Sequence, residues 1–124
     1  VYAAIAPLRN GTLAMAYYEG TKDDANTAQD WYATLAVVDG AATAHPRVTH
    51  RQHVLAKPVH TKDICLDGIL CGVPGFGDDR SLLDYVDVAV GPDGSIWGAF
   101  ASDGPATDGA GVATVLVRAA VPRR

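Results

Sequence analysis

The chain has 124 residues, a net charge of −4 and 48% hydrophobic residues, enough for one domain with its own core. The acidic balance argues against a nucleic-acid surface, the terminal basic cluster "PRR" at 122–124 being read as a solvated tail, and no apolar run approaches the roughly 18 residues of a membrane span. Thirteen of the 14 acidic residues are aspartates, which with 13 Gly and 7 Pro is the composition of short strands joined by tight turns. An all-β fold follows.

In chain order, Val1 opens directly into an apolar strand-like run with no basic start, so no signal peptide is expected in these residues. "AAIAPLRNGTLAMAYYEG" is two apolar runs separated at Asn10-Gly11, a strong hairpin signal. "WYATLAVVDG" at 31–40 supplies a third strand and "RVTHRQHVL" at 47–55 a fourth. A long insertion then runs to about Tyr85. "VDVAVGPDGSIWGAFASDG" repeats the hairpin around Asp93-Gly94, and "VATVLVRAAV" at 112–121 repeats the third strand. Aligned on the turns, Ile5 meets Val88, Leu13 meets Ile96, Ala16 meets Ala99 and Tyr17 meets Phe100, a spacing of 83 residues.

Both faces of these strands are apolar. In "TLAMAYY", Leu13, Met15 and Tyr17 share one face while Ala14, Ala16 and Tyr18 share the other. A strand buried on both sides of an antiparallel sheet implies a sheet between two other sheets. Repeated four-stranded antiparallel meanders of this kind are the blades of a β-propeller, and the chain holds about two of them. The expected division is a first blade over 1–55, an insertion over 56–85 and a second blade over 86–124. A single β-sandwich is the alternative.

The insertion holds both cysteines, Cys65 and Cys71, in "HTKDICLDGILCG". A zinc site would recruit His50, His53 and His60 with them, but a spacing of three along a strand puts His50 and His53 on opposite faces. The C-x5-C spacing is also longer than a zinc knuckle, and the C-x-x-C of a redox pair is absent. A local disulfide remains. Closing a seven-residue loop contributes about 2 kcal/mol by the chain-entropy estimate, and such a bond implies an oxidising, extracellular compartment.

The stretch "PVHTKDICLDGILCG…DDRSLLDYVDVAVGPDGSIWGAF" resembles a segment of secreted bacterial sialidase-like β-propeller proteins. The matching positions are His60, Ile64, Cys65, Gly68, Cys71, Arg80, Leu83, Asp84, Tyr85, Pro92, Asp93 and Gly94, and the likeness runs from about Asp30 to Ser102. Lys62 departs from it where the family has glycine, and Ser81 where it has a second basic residue. The resemblance implies a glycan-directed glycoside hydrolase in the parent protein, an exo-glycosidase of sialidase type with its catalytic residues mostly outside this segment. Sialidases use an arginine triad, a tyrosine nucleophile with a glutamate, and an aspartate acid/base. They also carry BNR repeats with Asp boxes of the form S-x-D-x-G-x-x-W. "GPDGSIW" is not an Asp box, because Asp93 and Gly94 are adjacent and no serine stands two residues before Asp93. The alternative is a non-catalytic propeller module for glycan or protein binding or structural support. Two blades cannot close a ring, so the rest of a propeller or other chains are the expected partners.

Candidate site residues are few. Tyr18 and Glu19, adjacent at a strand end beside Tyr17, would make a phenolate nucleophile if the glutamate activated the phenol; the competing reading puts Tyr17 in the core and Tyr18 and Glu19 on a strand rim. Arg80 is the arginine of the insertion, and its spacing to Asp84 suits a structural ion pair or a carboxylate clamp. Asp63, Asp78, Asp79 and Asp84, on turns among glycines and prolines, are hard oxygen ligands of the type Ca²⁺ takes, although turn formation alone also accounts for them.

Overall fold

The computed structural model describes residues 3–23, 27–65, 68–73, 79, 82, 85–108 and 111–120. Their regular structure is all-β, seven strands in two antiparallel sheets. The first sheet is a meander of β1 (Ala3–Pro7), β2 (Leu13–Gly20), β3 (Trp31–Asp39) and β4 (Arg47–His53). The second is β5 (Val86–Val90), β6 (Ile96–Ser102) and β7 (Ala113–Ala119). The first repeat has the four strands read from its sequence, and the second has the hairpin and third strand read from its own.

The hairpin turns fall where the sequence puts them. At the second, Gly91 N–H donates to Ser95 O (2.8 Å) and Gly94 N–H donates back to Gly91 O (2.9 Å). Gly94 takes φ +81°, the left-handed conformation that closes such a loop with a bulge. Asp93 Oδ1 accepts from the Ser95 N–H (3.0 Å) and hydroxyl (2.6 Å), which fixes the turn before β6 begins. The first turn is a short 3-10 segment, Arg9–Gly11, with Gly11 at φ +72°.

The repeat extends to strand register. Met15 pairs with Ile5 on one side and Ala36 on the other, and Gly98 pairs likewise with Val88 and Val117. Positions 15 and 98 are therefore counterparts, as are 36 and 117. On that correspondence, the sheets do not meet through equivalent faces. The first sheet buries Ala14, Ala16 and Tyr18 of β2 with Ala33, Leu35 and Val37 of β3. The second buries Ile96, Gly98 and Phe100 of β6 with Val117 of β7. These β6 residues are the counterparts of Leu13, Met15 and Tyr17, which lie on the outer face of the first sheet.

Packing across this interface is close. A Cβ on Gly98 would lie 3.0 Å from Leu35 Cδ2 and 2.6 Å from Phe100 Cε2, so glycine is what lets Leu35 and Phe100 share the space over β6. Tyr18 meets Phe100 edge-on, with ring centroids 5.6 Å apart. The opposite, outer faces mix apolar and charged groups. Ile5 and Val48 are 61% and 60% exposed on the first sheet, which also carries Glu19, Arg51 and His53. Trp97 and Leu116 are 43% and 72% exposed on the second, where the Arg118 guanidinium lies 5.5 Å from the Trp97 ring centroid. No helix of the described residues is long and apolar enough to cross a membrane.

Candidate functional site

The insertion docks where the two sheets end together. Its first arm, Val59–His60, runs beside the start of β3: Trp31 N–H donates to His60 O (2.9 Å) and Val59 N–H to Trp31 O (2.8 Å). The Trp31 indole N–H donates to Lys62 O (2.8 Å). From the other sheet, the Asp103 and Gly104 N–H groups and the Ser102 hydroxyl all donate to Val59 O, at 3.1, 2.9 and 3.0 Å. This approach requires Gly104, since a Cβ there would stand 2.7 Å from Val59 O and 2.9 Å from His60 N. Both sheets thus hold the same short arm, and its backbone polar groups are satisfied where Val59 is wholly buried.

His60 is the hub. Its ring is buried, with Nδ1 2.7 Å from Asp103 Oδ1 and Nε2 3.1 Å from the Asp63 carbonyl oxygen. Asp79 Oδ2 stands 4.0 Å from Nε2 and 3.5 Å from Lys62 Nζ. Asp79 O accepts from Cys65 N–H (2.9 Å), and Cys65 is joined to Cys71 by a disulfide with Cα atoms 5.8 Å apart. The bond takes both thiols, so neither cysteine is a thiolate ligand or a reduced redox pair. One continuous set of contacts therefore links the disulfide loop, His60 and the end of β6.

As chemistry, this cluster suits holding rather than reacting. Both ring nitrogens face oxygen atoms of the protein, and the ring offers solvent almost no surface. His60, Asp79 and Asp103 place one ligand atom each within 4.8 Å of one another and are the His/Cys/Asp/Glu set that could hold a metal among the described residues. Calcium prefers oxygen-only shells, whereas here an imidazole lies at the centre and the Lys62 ammonium competes for Asp79. Of the four aspartates expected as calcium ligands, Asp79 belongs to this set and Asp63 turns its backbone carbonyl to His60. Asp78 and Asp84 lie outside the described residues, as does Arg80, and with them the Arg80–Asp84 pair.

Tyr18 and Glu19 do not meet. Adjacent strand residues point to opposite faces, and here the phenol enters the inter-sheet core while the carboxylate lies on the outer face. Tyr18 Oη donates to Tyr85 O (2.8 Å) and accepts from Ala101 N–H (2.8 Å). Burial pushes its pKa up to about 12, against the smaller opposing pull of the Ala101 N–H. A nucleophilic phenolate needs the reverse shift. Glu19 accepts from Thr34 Oγ1 (3.1 Å) and from the Arg51 guanidinium, and its Oε2 lies 3.3 Å from His53 Nε2. His53 in turn stacks on Tyr32, with ring centroids 4.5 Å apart. Sequence reasoning missed this group and also missed Asp103. Arg51 and His53 alternate on β4 and so share one face, which was the available signal for the first.

The raised Tyr18 pKa has a measurable consequence. The folded state favours the neutral phenol more than the unfolded chain does, so this contribution is fully present below pH 10 and is lost as pH rises through 12. A rise from 10 to about 12 corresponds to about 2–3 kcal/mol. Urea melts at rising pH should therefore show the stability gap between wild type and Tyr18→Phe narrowing by about that amount. A gap that stays constant to pH 12 would contradict the buried, neutral phenol.

No family model, curated protein or solved structure matches the chain.

Proposed function

We propose that this chain is a non-catalytic module of a larger extracellular β-propeller of the sialidase-like type, supporting and presenting neighbouring parts of that protein. The observation that carries this reading is the packing of two repeats through non-equivalent faces. That arrangement propagates: each sheet can receive another on its outer face in the same way, as propeller blades do. A two-fold sandwich would have paired equivalent faces, leaving two outer faces that match each other rather than the two halves of the inner interface.

The insertion fits the same role. It ties adjacent sheets together at one end through Val59, His60 and Asp103, and its disulfide suits an oxidising compartment. Hydrolysis is the weaker reading for these residues, because Tyr18 is buried and Glu19 is held by Arg51, His53 and Thr34. A glycan-directed hydrolase in the parent protein would draw its catalytic groups from outside this chain. The test is turnover of fluorogenic sialosides and a panel of aryl glycosides. Purified chain is expected to match the buffer blank. Turnover above blank that falls in Glu19→Gln would overturn the non-catalytic assignment.

A further inference from the structure

The two outer faces are counterparts of the two faces already packed together inside the molecule. The outer face of β2 carries Leu13, Met15 and Tyr17, whose counterparts Ile96, Gly98 and Phe100 are buried against the first sheet. The outer face of β6 carries Trp97 and Ala99, counterparts of Ala14 and Ala16, which are buried against the second sheet. One molecule therefore presents both halves of an interface whose internal version it already contains. Large apolar side chains are exposed on both halves: Ile5 and Val48 on one, Trp97 and Leu116 on the other.

We propose that a second copy of this chain occupies these faces head to tail, its β5–β7 sheet lying on the outer face of the first copy's β1–β4 sheet. This rests on the blade reading and names the partner. The internal interface supplies the geometry. There, Leu35 lies over Gly98 in the middle strand of the opposite sheet. Leu35 pairs with Ala16 and Leu116 pairs with Ala99, so Leu116 is the counterpart of Leu35. The counterpart of Gly98 is Met15, set in one row between Ile5 and Ala36. Leu116 of one copy thus lies over the Ile5–Met15 end of this row in the next, beside Arg51, which pairs with the buried Ala36 and is held by Glu19, and the unbranched methionine can adapt to it. Such a contact is heterologous: each copy uses one face on each side, so association continues into a ring or an open stack rather than stopping at a symmetric dimer.

That asymmetry gives a complementation test. Ile5→Asp spoils one face and Leu116→Asp the other, both at positions more than half exposed, so both variants should keep the wild-type circular dichroism and melting temperature. Sedimentation from about 1 μM to about 1 mM is expected to show wild-type mass rising above monomer. Each variant alone should sediment as monomer. An equimolar mixture should form a dimer and nothing larger, because each variant still offers the face the other lacks. A monomeric wild type, a variant that associates alone as wild type does, or a mixture that stays monomeric would each overturn the proposal. Binding of an apolar fluorescent dye separates this from the blade reading. A monomeric wild type whose dye binding drops in each variant has open faces meant for a different neighbour, which overturns self-association only. A monomer that binds no dye overturns both.

Discussion

Phe100→Ala is expected to cost about 3–5 kcal/mol, the range for removing a large aromatic ring from a packed core. The ring is wholly buried, lies edge-on to Tyr18 and occupies the space that Gly98 leaves open beside Leu35. Few neighbours can close the gap, because β5 and β7 hold β6 in register on both sides. A domain of this size has about 5–15 kcal/mol to lose, so the variant should melt early or populate the unfolded state. Leu116→Ala serves as control: its side chain is 72% exposed and should change stability of the monomer by no more than about 0.5 kcal/mol. Urea unfolding of both at low protein concentration is the measurement. A Phe100→Ala loss under about 1 kcal/mol would mean the sheets do not meet through this face.

His60→Ala is expected to cost about 3 kcal/mol, combining a buried cavity with the loss of a partner for Asp103. The ring joins the insertion to the end of β6 at 2.7 Å from the Asp103 carboxylate, which is itself only partly exposed. Asp103→Ala should cost less, and the double variant should cost less than the sum by about 1–2 kcal/mol, the signature of residues in direct contact. Additive losses would make His60 a space-filler with no specific tie to Asp103. Reduction of Cys65–Cys71 should loosen the same unit, since the Cys65 N–H holds Asp79 beside the ring.

Much of the sheet structure was legible in the residues. Alternation placed Leu13, Met15 and Tyr17 on one face of β2 and Ala14, Ala16 and Tyr18 on the other, and the turn residues located both hairpins. The spacing of 83 residues between hairpins survives as matched register, Ile5 with Met15 and Val88 with Gly98. Which face meets which sheet was not legible. Period two assigns residues to a face but carries no information on what covers it, so the non-equivalent packing emerges only with the tertiary fold.

The site was less legible for a related reason. His60 and Asp103 are 43 residues apart, and Glu19 and Arg51 are 32 apart; local pattern joins neither pair. Asp103 reads as an ordinary turn residue in "SDGP" until Gly104 allows Val59 to approach β6. Tyr18 and Glu19 show the converse. Adjacency in sequence suggested a pair, but adjacency on a strand sets side chains on opposite faces, and that rule alone separates the phenol from the carboxylate.

The central claim is that the two repeats stack through non-equivalent faces, and the nuclear Overhauser contacts of the Leu35 methyl groups test it most directly. The geometry predicts cross-peaks from these methyls to the Gly98 α-protons and the Phe100 ring, because Leu35 Cδ2 lies 3.0 Å from the place a Gly98 Cβ would take. Recorded on dilute monomer, cross-peaks from Leu35 to Trp97 or Leu116 in place of Gly98 would put equivalent faces together and contradict the account.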